Sequence, residues 1–226
     1  MTPVFIHGAG ASPIVWRLQL LHFKGSMAVE LPGHPSGLGC STIEDYASSV
    51  EEHLREMAVN APILVGHSMG GAIAITLALR NSDLAGLILV GTGGRLKVDP
   101  SILNGIKENY EEVSRLVGRL SVSPRSDPVI AERIAEDLLK VKPEVTYGDF
   151  IACDRFDRMN DVQKITCKTL IVVGADDRMT PVKYSQYLHE KIVNSRLVVI
   201  PDAGHSVMLE KHRMFNAAVE AFLDSL

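Results

Sequence analysis

Short apolar runs alternate with helix-compatible stretches along most of the 226-residue chain. This alternation is typical of a parallel sheet flanked by helices, because each parallel strand needs a crossover to return to the same edge of the sheet. The runs contain few polar residues, which predicts strands buried on both faces. Six runs fit this description: residues 4–6, 27–31, 62–65, 84–90, 169–173 and 197–200.

The stretches between these runs carry signals for helix starts. Ser41 and Glu44 form a capping-box pattern ahead of an apolar stripe with three- and four-residue spacing. Residues 69–80 are apolar all round, which predicts a helix buried under the sheet. Thr180 before Pro181 is typical of a cap followed by a proline at the first helical position. The last helix is expected to bury one face, formed by Phe215, Ala218, Val219 and Phe222.

The alternation stops between about residues 94 and 161. Two Asp-Pro pairs, at 99–100 and 127–128, each read as a cap and an N1 proline that open a helix-compatible run. We therefore predict a helical lid, residues 94–161, inserted in a core made of residues 1–93 and 162–226. Apolar lid positions are expected mostly to pack the lid onto the core, and a minority to face a ligand: Ile102, Ile106, Leu116, Val117, Leu120, Ile130 and Ile134.

A Gly-x-Ser-x-Gly motif, Gly66-His67-Ser68-Met69-Gly70, follows the third predicted strand and precedes the buried helix. Strand, turn and helix are the context that a nucleophile elbow requires. The turn is sharp, so Gly66 and Gly70 would let the strand and the helix approach each other. The alternative is a glycine-rich turn with an incidental serine, and the context favours the elbow.

A serine hydroxyl needs a base to act as a nucleophile, and the base needs an orienting carboxylate. His205 follows the last predicted strand, where a loop could reach back to the elbow. His7 and His67 lie in glycine-rich turns and are expected to brace them, and His34 could lie near the mouth of a site. The remaining histidines fall in helical runs, where packing or solvation is the simpler interpretation: His22, His53, His189 and His212.

Two neighbouring carboxylates, Asp176 and Asp177, follow the fifth predicted strand. One is expected to support the turn and the other to orient the catalytic histidine. The residue types alone leave this choice open.

Composition and charge exclude several classes of protein. The formal charge is −4, from 23 Lys and Arg against 27 Asp and Glu, so no nucleic-acid partner is expected. No apolar stretch is long enough to span a membrane, and no signal peptide is visible at the N-terminus. The three cysteines and eight histidines lack metal-ligand spacing, which predicts no metal and a reducing, cytoplasmic location.

Taken together, these motifs resemble the α/β-hydrolase family over almost the whole chain. His7-Gly8-Ala9-Gly10 is similar to the family's oxyanion loop, residues 31–34 to the loop after its fourth strand, and Gly204-His205 to its histidine loop. The family spacing Gly-x-x-Asp-x-x-x-Pro fits Gly174, Asp177 and Pro181, so the resemblance selects Asp177 over Asp176. The chain order Ser68, Asp177, His205 is also that of the family.

The resemblance implies an α/β fold with about six strands and a helical lid, without the family's first two strands. It also implies a catalytic triad of Ser68, Asp177 and His205, with no cofactor. The backbone N–H groups of Met69 and Ala9 would form the oxyanion hole, with Gly10 as the fallback for the second donor.

Within the family, residues 66–74 resemble carboxylesterases and monoacylglycerol lipases. The expected function is a serine carboxylesterase acting on small to medium acyl esters, and the expected partner is a small-molecule ester or thioester. Alternatives are a monoacylglycerol lipase, an acyl-thioesterase, an acyltransferase, a perhydrolase or a carbon–carbon hydrolase. A triad-bearing hormone receptor is the alternative from a different class. Arg115, Arg119 and Arg125 predict either a solvated positive face or a site for an anionic part of the substrate.

Overall fold

The computed structural model describes residues 2–80 and 83–226. Within them, six strands form one sheet in which every neighbouring pair is parallel. The strand order is β2-β1-β3-β4-β5-β6, and the predicted parallel α/β architecture is confirmed. The strands are β1 (Pro3–Ile6), β2 (Met27–Val29), β3 (Ile63–His67), β4 (Gly86–Val90), β5 (Thr169–Gly174) and β6 (Ser195–Ile200).

Helices connect the strands and cover both faces of the sheet. They are α1 (Arg17–His22), α2 (Ile43–Glu56), α3 (Met69–Arg80), α4 (Pro100–Glu108), α5 (Tyr110–Leu120), α6 (Pro128–Leu138), α7 (Pro143–Arg155), α8 (Val182–Lys191), α9 (Val207–Glu210) and α10 (His212–Leu223). In the part of the chain that the structure describes, none of the helices has the length and apolar character needed to cross a bilayer.

The sheet divides the core into two apolar layers. Successive residues of β4 alternate between them: Leu87 and Leu89 face the layer of α2 and α3, whereas Ile88 and Val90 face the layer that contains Trp16 and α10. Such alternation follows from the two-residue period of a strand. Because both faces are covered, the central strands are buried along their whole length and almost entirely apolar, as the sequence pattern predicts.

The prediction that all six strands are buried on both faces was wrong at the sheet's edges. Only Ile200 of β6 is fully buried, and Val199 is 42% exposed. In β2, Val29 alone is fully buried. Each of these strands has a neighbour on one side only, so part of its surface stays in contact with water.

Two predicted helix starts are shifted by one residue. The α2 cap is Thr42, whose hydroxyl accepts a hydrogen bond from the N–H of Asp45, so the cap lies one position after Ser41. Helix α8 begins at Val182, after Pro181. The Thr180 hydroxyl is therefore not a cap, because it donates to a carboxylate of the site described below.

Helices α4 to α7 lie between β4 and β5, where the sequence predicts a lid. The caps Asp99 and Asp127 are as predicted, each accepting a hydrogen bond from a first-turn N–H. These helices share an apolar cluster: Ile102, Ile106, Val113, Val117, Leu138 and Phe150. Helix α7 also contributes Ala152 and Cys153 to the core layer beside α3. It therefore packs both on the other three helices and on the core. The division at residues 94 and 161 stays a prediction.

Candidate active site

Ser68 occupies a sharp turn between the end of β3 and the start of α3. Its φ angle is +52°, in the left-handed region that residues other than glycine rarely adopt. The turn is held by hydrogen bonds from the Ser68 N–H to the Val90 carbonyl (2.9 Å) and from the Thr92 hydroxyl to the Ser68 carbonyl (2.9 Å). A non-glycine residue in this region stores strain that the surrounding structure must hold, and such strain concentrates at functional sites.

The two glycines of the motif allow α3 to lie close to two strands, β3 at Gly66 and β1 at Gly70. A Cβ on Gly66 would lie 2.2 Å from the Gly70 carbonyl oxygen, and a Cβ on Gly70 would lie 2.3 Å from the Ile6 carbonyl oxygen. Both separations are far below van der Waals contact. Glycine is therefore required at both positions for this backbone path.

His205, in the loop between β6 and α9, is held by the loop that follows β5. Its Nδ1 lies 2.9 Å from Oδ2 of Asp177, and both side chains are almost fully buried. The other oxygen of Asp177 accepts hydrogen bonds from the backbone N–H groups of Met179 and Thr180, each at 2.9 Å. The Thr180 hydroxyl also donates to Oδ2 at 2.9 Å. The carboxylate is thus fixed from several directions and orients the imidazole.

The pKa of Asp177 reflects this setting. Burial opposes the charged form of the carboxyl, but attraction to His205 and the hydrogen bonds from His205 and Thr180 outweigh it. The pKa of Asp177 is therefore held below its ordinary value. The carboxylate stays ionised at neutral pH.

The neighbouring Asp176 points away from His205. Its Oδ2 accepts a hydrogen bond from the Ser123 hydroxyl at 2.6 Å and lies 3.3 Å from a guanidinium nitrogen of Arg125. The sequence left open which of the two carboxylates orients the histidine. In the structure it is Asp177 that contacts His205. Asp176 joins the loop after β5 to the segment after α5.

Ser68 and His205 line the same small cavity, of about 50 Å³. In the described part of the chain no hydrogen bond joins the two side chains. Catalytic hydrogen bonds often tighten only when substrate is bound, so both remain candidates. The cavity wall is mainly apolar and includes residues of α5, α6 and α7: Val117, Ile134, Leu138 and Phe150.

The two predicted oxyanion donors lie in the loop after β1 and at the start of α3. Ala9 lines the cavity, and Met69 is the first residue of α3, where backbone N–H groups have no partner within the helix. The Ala9 N–H forms no hydrogen bond within residues 2–80 and 83–226. The Gly10 N–H, in contrast, donates to Oδ2 of Asp149 at 2.8 Å. Gly10 is therefore already engaged, and it does not serve as the fallback donor in this structure.

His7 and His67 brace the loops around the site. Nδ1 of His7 is 3.0 Å from the Gly8 carbonyl oxygen, and Nε2 of His67 is 3.1 Å from the His205 carbonyl oxygen. Burial, and then repulsion from His34 for His7 or from His205 for His67, lowers the pKa of each to about 3. Both rings are therefore neutral at physiological pH.

His34 does not lie near the mouth of the cavity but is fully buried. Its Nε2 is 2.8 Å from Oδ2 of Asp149, and its Nδ1 is 2.9 Å from the Pro32 carbonyl oxygen. Burial opposes the charged form, but the hydrogen bond and the attraction from Asp149 outweigh it and raise the pKa of His34.

Three residues, Thr180, Glu210 and Asp149, support this region through contacts that the sequence did not predict. Thr180 was predicted to be a helix cap, but its hydroxyl donates to Asp177. Its position three residues after Asp177 is the local signal that could have indicated this contact. Glu210 accepts hydrogen bonds from the N–H groups of Gly204 (2.9 Å) and Ser123 (2.7 Å), which ties the histidine loop to the segment after α5. Asp149 contacts residues more than 100 positions away, so no local pattern could reveal it.

Two of the three arginines in residues 115–125, Arg115 and Arg125, pair with acidic side chains. Arg115 pairs with Glu111 at 2.9 Å, one helical turn before it. Arg125 pairs with Asp202 at 2.6 Å as well as with Asp176. All of these pairs are on the surface. This arrangement favours the solvated positive face over a site for an anionic substrate group.

Comparisons with known proteins place the chain in a family. The sequence model of the Alpha/beta hydrolase family matches residues 4–218, so the chain belongs to that family. It is 28% identical to a pimeloyl-[acyl-carrier protein] methyl ester esterase of Neisseria meningitidis serogroup B, over 97% of this chain and 91% of that protein.

Solved structures lead to the same family. A structure of a thermophilic esterase superposes with a TM-score of 0.91 and 38% identity, over 99% of this chain and 89% of that one. An esterase from Exiguobacterium antarcticum superposes with a TM-score of 0.92 and 20% identity, over 99% of this chain and 92% of that one. At this identity the similarity shows only that the two proteins share a fold. The predicted class is confirmed: the chain is an α/β-hydrolase of the ester-hydrolysing type.

The buried histidines make stability depend on pH in a direction that can be measured. His7 and His67 take up protons near pH 6.5 only in the unfolded state, so stability should fall as the pH drops from about 6.5 towards 3. Each contributes up to about 1.4 kcal/mol per pH unit. His34 acts oppositely: its stabilisation is complete below about pH 6.5 and is lost as the pH rises through its raised folded pKa.

We therefore expect the free energy of unfolding, from urea titrations between pH 5 and 8, to be greatest near pH 6.5. His34→Gln should lower the free energy of unfolding throughout this range, because it leaves the buried Asp149 without its cationic partner, and should leave the decline on the acid side. Stability that is flat or rises between pH 6.5 and 5 would contradict the neutral state of His7 and His67.

Proposed function

We propose that the protein is a serine carboxylesterase that hydrolyses small to medium acyl esters through an acyl-enzyme intermediate. One observation carries the proposal. Ser68, on a strained elbow, lines the same small apolar cavity as His205, whose Nδ1 is bound to the buried Asp177.

In the first half of the reaction, the Ser68 hydroxyl attacks the ester carbonyl carbon and His205 takes the hydroxyl proton at Nε2. With Nδ1 held by Asp177, Nε2 is the nitrogen left free for that proton. His205 then gives the proton to the leaving alcohol. In the second half, water attacks the acyl group by the same proton transfers and releases the acid and Ser68.

The tetrahedral oxyanion needs donors at the elbow. We assign them to the backbone N–H groups of Met69 and Ala9, with the helix dipole of α3 adding favourable potential. Loss of one such donor typically costs about 10²–10³-fold in kcat. Neither residue acts through its side chain, so side-chain truncation would not reveal either.

The size and lining of the cavity favour a short apolar group on the substrate. A volume of about 50 Å³ is far below the roughly 300–1,000 Å³ of pockets for drug-sized ligands. We propose that helices of the lid, residues 94–161, close this cavity with Val117, Leu138 and Phe150. The relative from Neisseria is named for the hydrolysis of a methyl ester, which fits a small leaving group.

Replacing Ser68 tests the proposal directly. We expect Ser68→Ala to lose essentially all hydrolysis of p-nitrophenyl acetate while its circular dichroism spectrum is unchanged, because the nucleophile is removed at constant fold. A fluorophosphonate should label the wild-type protein once, at Ser68, as read by peptide mass spectrometry. The control is Ser206→Ala, which changes another serine of the cavity wall and should keep activity within about threefold. Retention of more than a few per cent of activity by Ser68→Ala would exclude Ser68 as the nucleophile.

The adjacent carboxylates provide a second test with a built-in control. Asp177→Asn keeps the size of the side chain but favours the wrong tautomer of His205, an effect of roughly 10⁴-fold on kcat in a serine protease triad. Asp176→Asn should remain active, because this carboxylate contacts Ser123 and Arg125 instead, and its loss should cost about 1 kcal/mol of stability. Steady-state kinetics at neutral pH measure both. An active Asp177→Asn together with an inactive Asp176→Asn would show that Asp176, and not Asp177, orients His205.

A further inference from the structure

A second carboxylate, Asp149 of α7, is completely buried beside the loop that follows β1. Three donors converge on it. Its Oδ2 accepts from the Gly10 N–H and from Nε2 of His34, each at 2.8 Å, and its Oδ1 accepts from the Tyr46 hydroxyl. The Tyr46 oxygen in turn accepts from the N–H of Cys40 at 3.1 Å.

His34 carries a positive charge in this arrangement. Both of its ring nitrogens face acceptors, Asp149 at Nε2 and the Pro32 carbonyl at Nδ1, so both nitrogens donate. Asp149 and His34 therefore form a buried ion pair. Removing one partner of such a pair is strongly destabilising, and its retention in a core calls for a reason other than stability.

The neighbouring backbone supplies that reason. Ala9, the proposed oxyanion donor, lies between two peptide groups that are both fixed. The Gly8 carbonyl oxygen accepts from Nδ1 of His7 (3.0 Å) and from the N–H of Ala11 (3.3 Å). In a trans peptide the N–H points opposite to the C=O, so this fixes the direction of the Ala9 N–H. The next peptide group is fixed by its own N–H, that of Gly10, on Asp149.

Gly10 makes this second restraint necessary. Its φ angle is +62°, in a region that glycine enters and leaves at little cost, so the Ala9–Gly10 peptide has no intrinsic preference for the observed direction. With its N–H bound by Asp149, the peptide cannot rotate without leaving a buried carboxylate partly unpaired. The loop stays in the conformation in which the Gly10 N–H is bound by Asp149, while the N–H of Ala9, which lines the cavity, forms no hydrogen bond within residues 2–80 and 83–226.

We propose that Asp149 is a positioning residue for the oxyanion hole, and that through it helix α7 of the lid sets the geometry of the Ala9 donor. This inference rests on the proposed esterase function. Asp149 acts through the Gly10 N–H and does not touch the substrate. Its effect should therefore appear in the stabilisation of the transition state and not in the binding of the ester.

The test combines three variants with two readouts. Asp149→Ala removes the acceptor of the Gly10 N–H. Asp149→Asn is the conservative variant, because its amide oxygen can still accept that hydrogen bond. Tyr46→Phe is the matched control: it removes a hydrogen bond to the same carboxylate, on Oδ1, and leaves the bond between Gly10 and Asp149. The readouts are kcat and KM for p-nitrophenyl acetate, and Ki for an alkyl trifluoromethyl ketone, which forms a tetrahedral oxyanion on the serine.

We expect Asp149→Ala to lower kcat about 10–100-fold and to raise Ki for the ketone by a similar factor, with KM within about threefold. Asp149→Asn should recover part of both losses. Tyr46→Phe should lower Tm while kcat and Ki stay within about threefold of the wild type. If Asp149→Ala does not fold, Asp149→Asn and Tyr46→Phe are compared by the same kcat, KM and Ki measurements. The proposal then requires a larger loss of kcat in Asp149→Asn than in Tyr46→Phe.

A folded Asp149→Ala with unchanged kcat and Ki would overturn the proposal. A Tyr46→Phe variant whose kcat falls more than about tenfold would also overturn it, because the loss of activity would then follow the loss of stability and not the loss of the Gly10 contact. Failure of the proposed function itself is distinguishable, since Ser68→Ala would then retain its activity.

Discussion

The site depends on the close approach of strand β3 and helix α3 at Ser68. No side chain fits at Gly66, where an added Cβ would lie 2.2 Å from the Gly70 carbonyl oxygen, or at Gly70, where it would lie 2.3 Å from the carbonyl oxygen of Ile6 in β1. Helix α3 therefore approaches both β3 and β1 closely. This approach forces Ser68 into a left-handed conformation and places its side chain on the cavity at the carboxyl edge of the sheet. Because all the strands are parallel, the loops after β1, β5 and β6 meet the elbow at that same edge, where open α/β sheets bind their ligands.

Two buried carboxylates organise these loops, each paired with a histidine. Asp177 fixes the ring of His205, and Asp149 binds His34 while it holds the loop after β1. A buried charge is costly unless it is paired and hydrogen-bonded, and each of these carboxylates accepts at least three hydrogen bonds. One carboxylate comes from the core and the other from the predicted lid. Helix α7 of the predicted lid is thereby connected to the candidate site by hydrogen bonds as well as by the apolar wall of the cavity.

Much of the fold could be predicted because its signals are local. Apolar runs and the glycines around Ser68 located six strands and the elbow, and the Asp-Pro pairs located two helix starts. The exposed face of β6 could not be predicted. Whether a strand lies at the edge or the centre of a sheet is determined by the strand order, and the residues of one strand do not reveal that order. The α2 cap was misplaced by one residue because Ser41 and Thr42 are both good caps, and only tertiary packing chooses between them.

The residues of the candidate site could be proposed from local motifs and the family resemblance, whereas the contacts that support them could not. Spacing from Gly174 and Pro181 selected Asp177 through the family resemblance, and the structure brings that residue to His205. Asp149 lies within a helix whose sequence offers no motif, and its partners come from three distant segments. Gly10 as a fallback donor could be set aside only once its N–H was seen on Asp149. Long-range polar contacts of this kind have no periodicity and no fixed spacing.

A crystal structure of the protein covalently modified by a small alkyl phosphonate most directly tests the assignment of Ser68, Ala9 and Met69 to one reaction centre. We expect phosphorus on the Ser68 oxygen and one phosphonyl oxygen about 2.7–3.1 Å from the backbone nitrogens of both Ala9 and Met69. The Gly10 nitrogen should remain on Asp149. An adduct on another residue, or a phosphonyl oxygen that contacts neither backbone nitrogen, would contradict this assignment.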